Sequence, residues 1–130
     1  MEEKLRELLK NSYSPVYNYK VAAIVKCNDG SLFYGVNVET SSPASGICAE
    51  RNALYNAVTN GCKKGDIKEI HIMNATEREC YPCFICRQAL NDFCEDAKIY
   101  TYNYSGTIKK CVTVKELCPY SFTCEDINVK

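Results

Sequence analysis

The stretch Glu79–Leu90 reads ECYPCFICRQAL and places three thiols, Cys80, Cys83 and Cys86, in two overlapping C-x-x-C pairs. On its N-terminal side, IKEIHIM (Ile67–Met73) is an apolar run with the β-branched content of a strand. On its C-terminal side, Cys83, Cys86, Leu90 and Phe93 recur at helical spacing. The thiols therefore stand at a strand-to-helix junction. The rest of the chain is read outward from that junction.

Residues 2–12 carry Leu5, Leu8 and Leu9 on one helical face. YKVAAIVKC (Tyr19–Cys27) is nearly continuous apolar sequence, as expected of a buried central strand. The NDG at Asn28–Gly30 marks a hairpin turn. Leu32, Tyr34, Val36 and Val38 then alternate, which predicts a half-exposed strand over Leu32–Val38. A Ser/Pro/Gly-rich loop, Thr40–Gly46, leads into ICAERNALYNAVTNG. There Ala49, Ala53 and Ala57, with Leu54 and Val58, predict a helix closed by Asn60-Gly61. KIYTY and KCVTV are two further strands joined by NYSGTIK, and KELCPYSFTCEDI reads as a short helical cap. The order α-β-β-α-β-α-β-β-α predicts an α/β fold, a three-layer α-β-α arrangement around a five-stranded mixed sheet. A parallel return needs a crossover of about a dozen residues. NYSG is too short for that, so the last two strands are expected to be antiparallel. One domain spanning 1–130 is expected.

Composition narrows the function classes. Sixteen basic residues balance sixteen acidic ones, so the chain lacks the basic footprint of a protein that binds a nucleic acid polymer. The doublets Lys63-Lys64 and Lys109-Lys110 read as solvated turn or strand ends. The opening MEEKLRELLK has charges between its apolar pairs, unlike a signal peptide or membrane span, and a cytoplasmic location is expected. Ten cysteines in a reducing compartment suggest metal or catalysis before disulfides. Cys27, Cys62, Cys94, Cys111, Cys118 and Cys124 lack motif spacing and are read as small hydrophobic packing residues.

Two cysteines three residues apart in a first helical turn present both sulfurs to one side. Zinc takes four tetrahedral ligands, so a further one must come from elsewhere. Cys48, in GICAER, opens the other candidate helix. Two helix N-termini can thus bring thiolates to one point, where their positive dipole ends stabilise the anions. Three protein ligands leave a fourth position for water, as in catalytic zinc sites. His71, the single histidine, lies within an alternating strand and reads as a packed residue. Glu50 follows Cys48 by two residues, within reach of a metal-bound water. A redox dithiol and a purely structural zinc module are the competing readings.

C-A-E at Cys48–Glu50 together with P-C-x-x-C at Pro82–Cys86 is the cysteine-first signature of zinc deaminases. From about Tyr13 to Ile127 the chain resembles the cytidine deaminase family of small free-nucleoside enzymes. The resemblance is carried by Ser14-Pro15, Tyr19–Ala22, G-x-N-x-E at Gly35–Glu39, GICAER at Gly46–Arg51, PCxxCRQ at Pro82–Gln88 and EL-x-P-x-x-F at Glu116–Phe122. It implies Zn2+ held by Cys48, Cys83 and Cys86, with Cys80 spare, and Glu50 as the proton shuttle. It also implies hydrolysis of cytidine or deoxycytidine with loss of ammonia.

Tyr19, Asn37, Glu39, Ala49 and Phe122 match substrate-contact positions, with Asn37 and Glu39 on a ribose hydroxyl. Arg51 matches an arginine that hydrogen-bonds the ligand sulfurs, and Arg87 and Gln88 are further candidates around the metal. The family's homotetramer implies that Phe122 reaches a neighbouring subunit's site. The chain departs from the family pattern at Thr40, Pro43 and Phe84. Its Tyr19–Ala22 is closer to the Y-S-V-A of blasticidin S deaminase, so a modified cytosine nucleoside is an alternative substrate.

Overall fold

The computed structural model describes residues 1–127. Helix α1 (Glu2–Leu9) has Glu2 and Glu3 in its first turn and Arg6 in its last, complementing the helix dipole, and it buries Leu5 and Leu9. Strand β1 (Val21–Cys27) turns through Gly30, at φ 89°, into β2 (Leu32–Val36). A short 3-10 turn at Pro43–Ser45 precedes α2 (Ala49–Thr59). Then come β3 (Ile67–Asn74), α3 (Phe84–Phe93), β4 (Lys98–Tyr102), β5 (Lys109–Thr113) and α4 (Val114–Leu117). A 3-10 turn at Cys124–Ile127 follows. Thr113 and Glu116 form a reciprocal capping box, so β5 passes directly into α4.

The sheet order is β2-β1-β3-β4-β5. Only β3 and β4 pair in parallel, and β4 and β5 form the expected antiparallel hairpin. Alternate residues of the central strands feed two cores. Ala23, Val25, Ile70, Ile72 and Ile99 pack with Ala53, Leu54 and Leu90 beneath α2 and α3. Ala22, Ile24, Met73 and Tyr102 pack with Leu5 and Leu9 beneath α1. The expected three layers are therefore present.

Gly35 sets the spacing between β2 and α2. A Cβ there would collide with the backbone of Ala53 and lie 2.6 Å from the Ala49 carbonyl oxygen. Only glycine lets helix and strand backbones come this close.

Several boundaries differ from expectation for identifiable reasons. The first helix stops at Leu9, because Tyr13 already pairs with Val38 and donates its N–H to Asn37 O. Strand β1 begins at Val21, not Tyr19. The Asn37 side chain takes up Tyr19 O and Val21 N–H in place of ladder bonds. Cys48 is extended (φ −77°, ψ 153°) and caps α2, which starts one residue later. The reading of Cys27 and Cys62 as packing alone is corrected. They form a disulfide between the end of β1 and the turn after α2, and both still pack in the core under α2. Spacing does not reveal that pairing, because it spans 35 residues. The other eight cysteines are free thiols.

Candidate active site

Helix α2, packed on β1 and β2, and helix α3, which follows β3, bring their two N-termini together. Cys48 caps α2, Cys83 caps α3, and Cys86 lies in the first turn of α3. Their three sulfurs all lie within 4.8 Å of one another, and they are the one such cluster among the described residues. Cys48 Sγ and Cys83 Sγ are 3.7 Å apart. A tetrahedral zinc with Zn–S bonds of about 2.3 Å would hold two sulfurs about 3.8 Å apart. Three soft thiolates at that spacing therefore fit Zn2+.

Electrostatics at the cluster already favour an anionic sulfur. Cys48 is lowered to about 5, first by a hydrogen bond from the Cys86 thiol and then, against partial burial, by Arg51 and Cys83. Cys86 is raised in turn, because it keeps the proton the pair shares and is itself buried. Arg51 donates through Nη2 to Cys48 Sγ at 3.7 Å. Its buried Nε has no protein partner.

Glu50 lies in the first turn of α2, two residues after Cys48, and is only 5% exposed. Burial pushes its carboxyl up to about 7, and the Cys48 sulfur pushes the same way. A backbone hydrogen bond and Arg51 act in opposition. A carboxyl poised near neutrality can both accept and return a proton. Ala49 is fully buried, with its carbonyl against Gly35.

Other expected site residues lie at varying distances from this point. Cys80 is turned away and buried, its thiol directed at Tyr102 O at 3.5 Å. Tyr19 is raised mainly by partial burial and also by the nearby Cys80 and Glu50, with an Asn74 hydrogen bond opposing. Asn37 and Glu39 hold the backbone of residues 16–21. Arg87 and Gln88 are not brought to the sulfurs. Arg87 donates to Pro82 O at 2.7 Å and Leu117 O at 3.0 Å and lies over the Phe84 ring. Gln88 donates to Phe122 O at 2.9 Å, which ties the half-exposed Phe122 to α3.

Asn74 was not singled out from sequence. It is fully buried, accepts from the Thr76 N–H and hydroxyl, and shapes the turn that leads to the cysteines. A polar residue ending the apolar run IHIMN is the signal that could have found it.

A family model described as the cytidine and deoxycytidylate deaminase zinc-binding region matches residues 1–103. The chain belongs to this family. It is 38% identical over 120 residues to a cytidine deaminase of Halalkalibacterium halodurans, covering 92% of this chain and 89% of the relative. It is 33% identical over 127 residues to a cytidine deaminase of Sporosarcina psychrophila, covering 97% and 89%. Its fold superposes on the crystal structure of cytidine deaminase from Burkholderia pseudomallei with a TM-score of 0.84. That match has 31% identity and covers 94% of this chain and 99% of the other. The cytidine deaminase family is one of zinc-dependent hydrolytic deaminases, and the Cys48, Cys83 and Cys86 cluster supplies donors suited to that metal.

Proposed function

We propose that this chain hydrolyses cytidine and deoxycytidine to uridine and deoxyuridine, releasing ammonia. The observation that carries this reading is the buried Glu50 carboxyl, at about 7, two residues beyond Cys48 in a thiol cluster at two helix N-termini. Cys48, Cys83 and Cys86 would hold Zn2+, which when bound supplies the Lewis acidity that makes a water nucleophilic at neutral pH. Glu50 takes a proton from the attacking water, passes it to N3 of the pyrimidine, and assists the departure of ammonia from C4. Arg51 offsets the negative charge that three thiolates gather. Asn37 and Glu39 receive the ribose. Tyr19 and Ala49 flank the base.

The groove of about 540 Å³ between α2 and α3 lies beside the cluster and shares Arg51 with it. Its rim carries the exposed Tyr55, Phe84 and Ile85. An apolar rim of this kind, with Phe122 on the same side through Gln88, supports a homotetramer with shared sites. Eight of the ten cysteines are free thiols, which supports a reducing, cytoplasmic setting against the single Cys27–Cys62 disulfide. No helix among the described residues is long and apolar enough to cross a membrane. We read residues 1–130 as one domain serving pyrimidine salvage.

Glu50→Gln tests the reading. It is expected to retain zinc and bind cytidine, while ammonia release falls by about 10²–10⁴-fold. Near-normal turnover would remove the proton-shuttle role, and loss of zinc would make Glu50 a ligand.

A further inference from the structure

Between α1 and β1 the chain makes a loop that carries Tyr13, Val16, Tyr17 and Tyr19, all well exposed. The loop has little internal bonding of its own. Asn18 N–H donates to Ser14 O at 2.9 Å, and Asn18 adopts a left-handed φ of 50° to close that turn. Most of what orders the loop comes from two side chains on the extended stretch that leaves β2. Glu39 Oε1 accepts from Val16 N–H at 2.8 Å, and Oε2 accepts from Tyr17 N–H at 3.2 Å. Asn37 Nδ2 donates to Tyr19 O at 2.6 Å, while its Oδ1 accepts from Val21 N–H at 2.9 Å and from the Ser12 hydroxyl. The pair thus grips both ends of the segment 16–21. Tyr19 lies between those grips, hydrogen-bonded to Asn74 and near enough to Cys80 and Glu50 for their charges to raise its pKa.

We infer that Asn37 and Glu39 form a clamp that positions Tyr19 beside the catalytic carboxyl, so that the residues facing the sugar also fix the wall facing the base. This rests on the deaminase reading above and deepens it. Glu39 acts on the base through the loop, and is a positioning residue for it. Two backbone N–H donors hold the carboxylate in a fixed orientation. A ribose hydroxyl would then meet an acceptor that is already immobilised. The loop would be set before substrate arrives, and the sugar pocket and the base pocket would respond together to a change at Glu39.

A nucleoside without the 2′ and 3′ sugar hydroxyls separates the two roles. The probes are cytidine and 2′,3′-dideoxycytidine, used with the zinc-loaded parent, Glu39→Ala and Glu39→Gln. If Glu39 served only the sugar, its loss would leave dideoxycytidine untouched. The clamp predicts that Glu39→Ala lowers kcat/KM for dideoxycytidine by about tenfold, as loss of a charge-assisted hydrogen bond implies. Glu39→Gln keeps one acceptor oxygen and is expected to fall between. It also decides the matter if the alanine variant does not fold.

A second readout needs no turnover. Amide hydrogen exchange of Val16 and Tyr17 should quicken in Glu39→Ala, while Ala23 and Ile24 in β1 keep their protection. Unchanged dideoxycytidine kinetics, or unchanged exchange at Val16 and Tyr17, would overturn the clamp. A parent chain that deaminates neither nucleoside would overturn the deaminase reading, and the exchange measurement would still decide the clamp.

Discussion

Replacing Gly35 by alanine would insert a methyl group where β2 and α2 touch through their backbones. The new Cβ would collide with Ala53 N and lie 2.6 Å from Ala49 O and 2.9 Å from Ala53 Cα. Ordinary carbon contacts are about 3.5–4.0 Å, so α2 must retreat by about 1 Å. None of the obstructing atoms belongs to a flexible side chain, and the strain cannot be relieved by a rotamer change. Overpacking of this kind costs about 1–3 kcal/mol. For a chain of 130 residues, an unfolding entropy of about 2.1 cal/mol/K per residue makes that a fall in Tm of roughly 4–11 °C. The second effect is local. Cys48 caps the moving helix and sits 3.7 Å from Cys83 Sγ. Metal–ligand distances tolerate about 0.2 Å, so zinc should be lost to a chelator more readily, and activity should drop by about 10². Thermal melts with and without chelator, together with zinc content per chain, measure both effects. A Gly35→Ala protein with Tm within about 2 °C of the parent and full zinc would refute the close-packing argument.

Cys80→Ser should leave zinc content near that of the parent, whereas Cys83→Ser should lose most of it, because Cys80 faces Tyr102 O and Cys83 faces Cys48. Metal analysis that empties the Cys80 variant instead would reverse the ligand choice. The Cys27–Cys62 disulfide closes a 35-residue separation, and chain entropy assigns such a closure about 4 kcal/mol. The paired Cys27→Ser and Cys62→Ser variant should therefore unfold at lower denaturant, and reductant should not lower its midpoint further. His71 is buried with its native pKa held below the usual 6.5, chiefly by desolvation. The unfolded chain therefore takes up its proton first, and this contribution, complete above the unfolded pKa, is lost as pH falls below about 6.5. Melts from pH 7.5 down to 5.5 should show a steeper decline for the parent than for His71→Gln, and parallel curves would rule this out.

Much of the architecture was legible because it follows from local pattern. The length of NYSG alone made the last hairpin antiparallel, and β4 begins and ends where KIYTY does. The convergence of Cys48 with the second cysteine pair was also readable, since both motifs open helices. The choice of Cys83 and Cys86 over Cys80 was not a matter of spacing. It depends on which thiol turns under the sheet, and only a family resemblance distinguished them. Long-range pairings were equally hidden. Nothing near Cys27 points to Cys62, and Gly35 looks like any strand residue until α2 lies on it. Arg87 and Gln88 sit in a motif that suggests the metal, yet their donors brace Pro82, Leu117 and Phe122. Carbonyls contributed by the tail cannot be seen from α3 alone.

The outer strand β5 bears on how copies of the chain can meet. It has five residues, KKCVT, largely exposed, and carries Lys109 and Lys110 at its start. It is cut short by the Thr113–Glu116 capping box, which diverts the backbone into α4 at once. A brief, lysine-bearing rim is a poor template for continuing a ladder into a second sheet. Lateral sheet growth, the usual route from unpaired strands to aggregates, is thereby discouraged at this end. At this edge the sheet offers little to strand addition, whereas the outer faces of α2 and α3 carry the exposed Tyr55, Phe84 and Ile85.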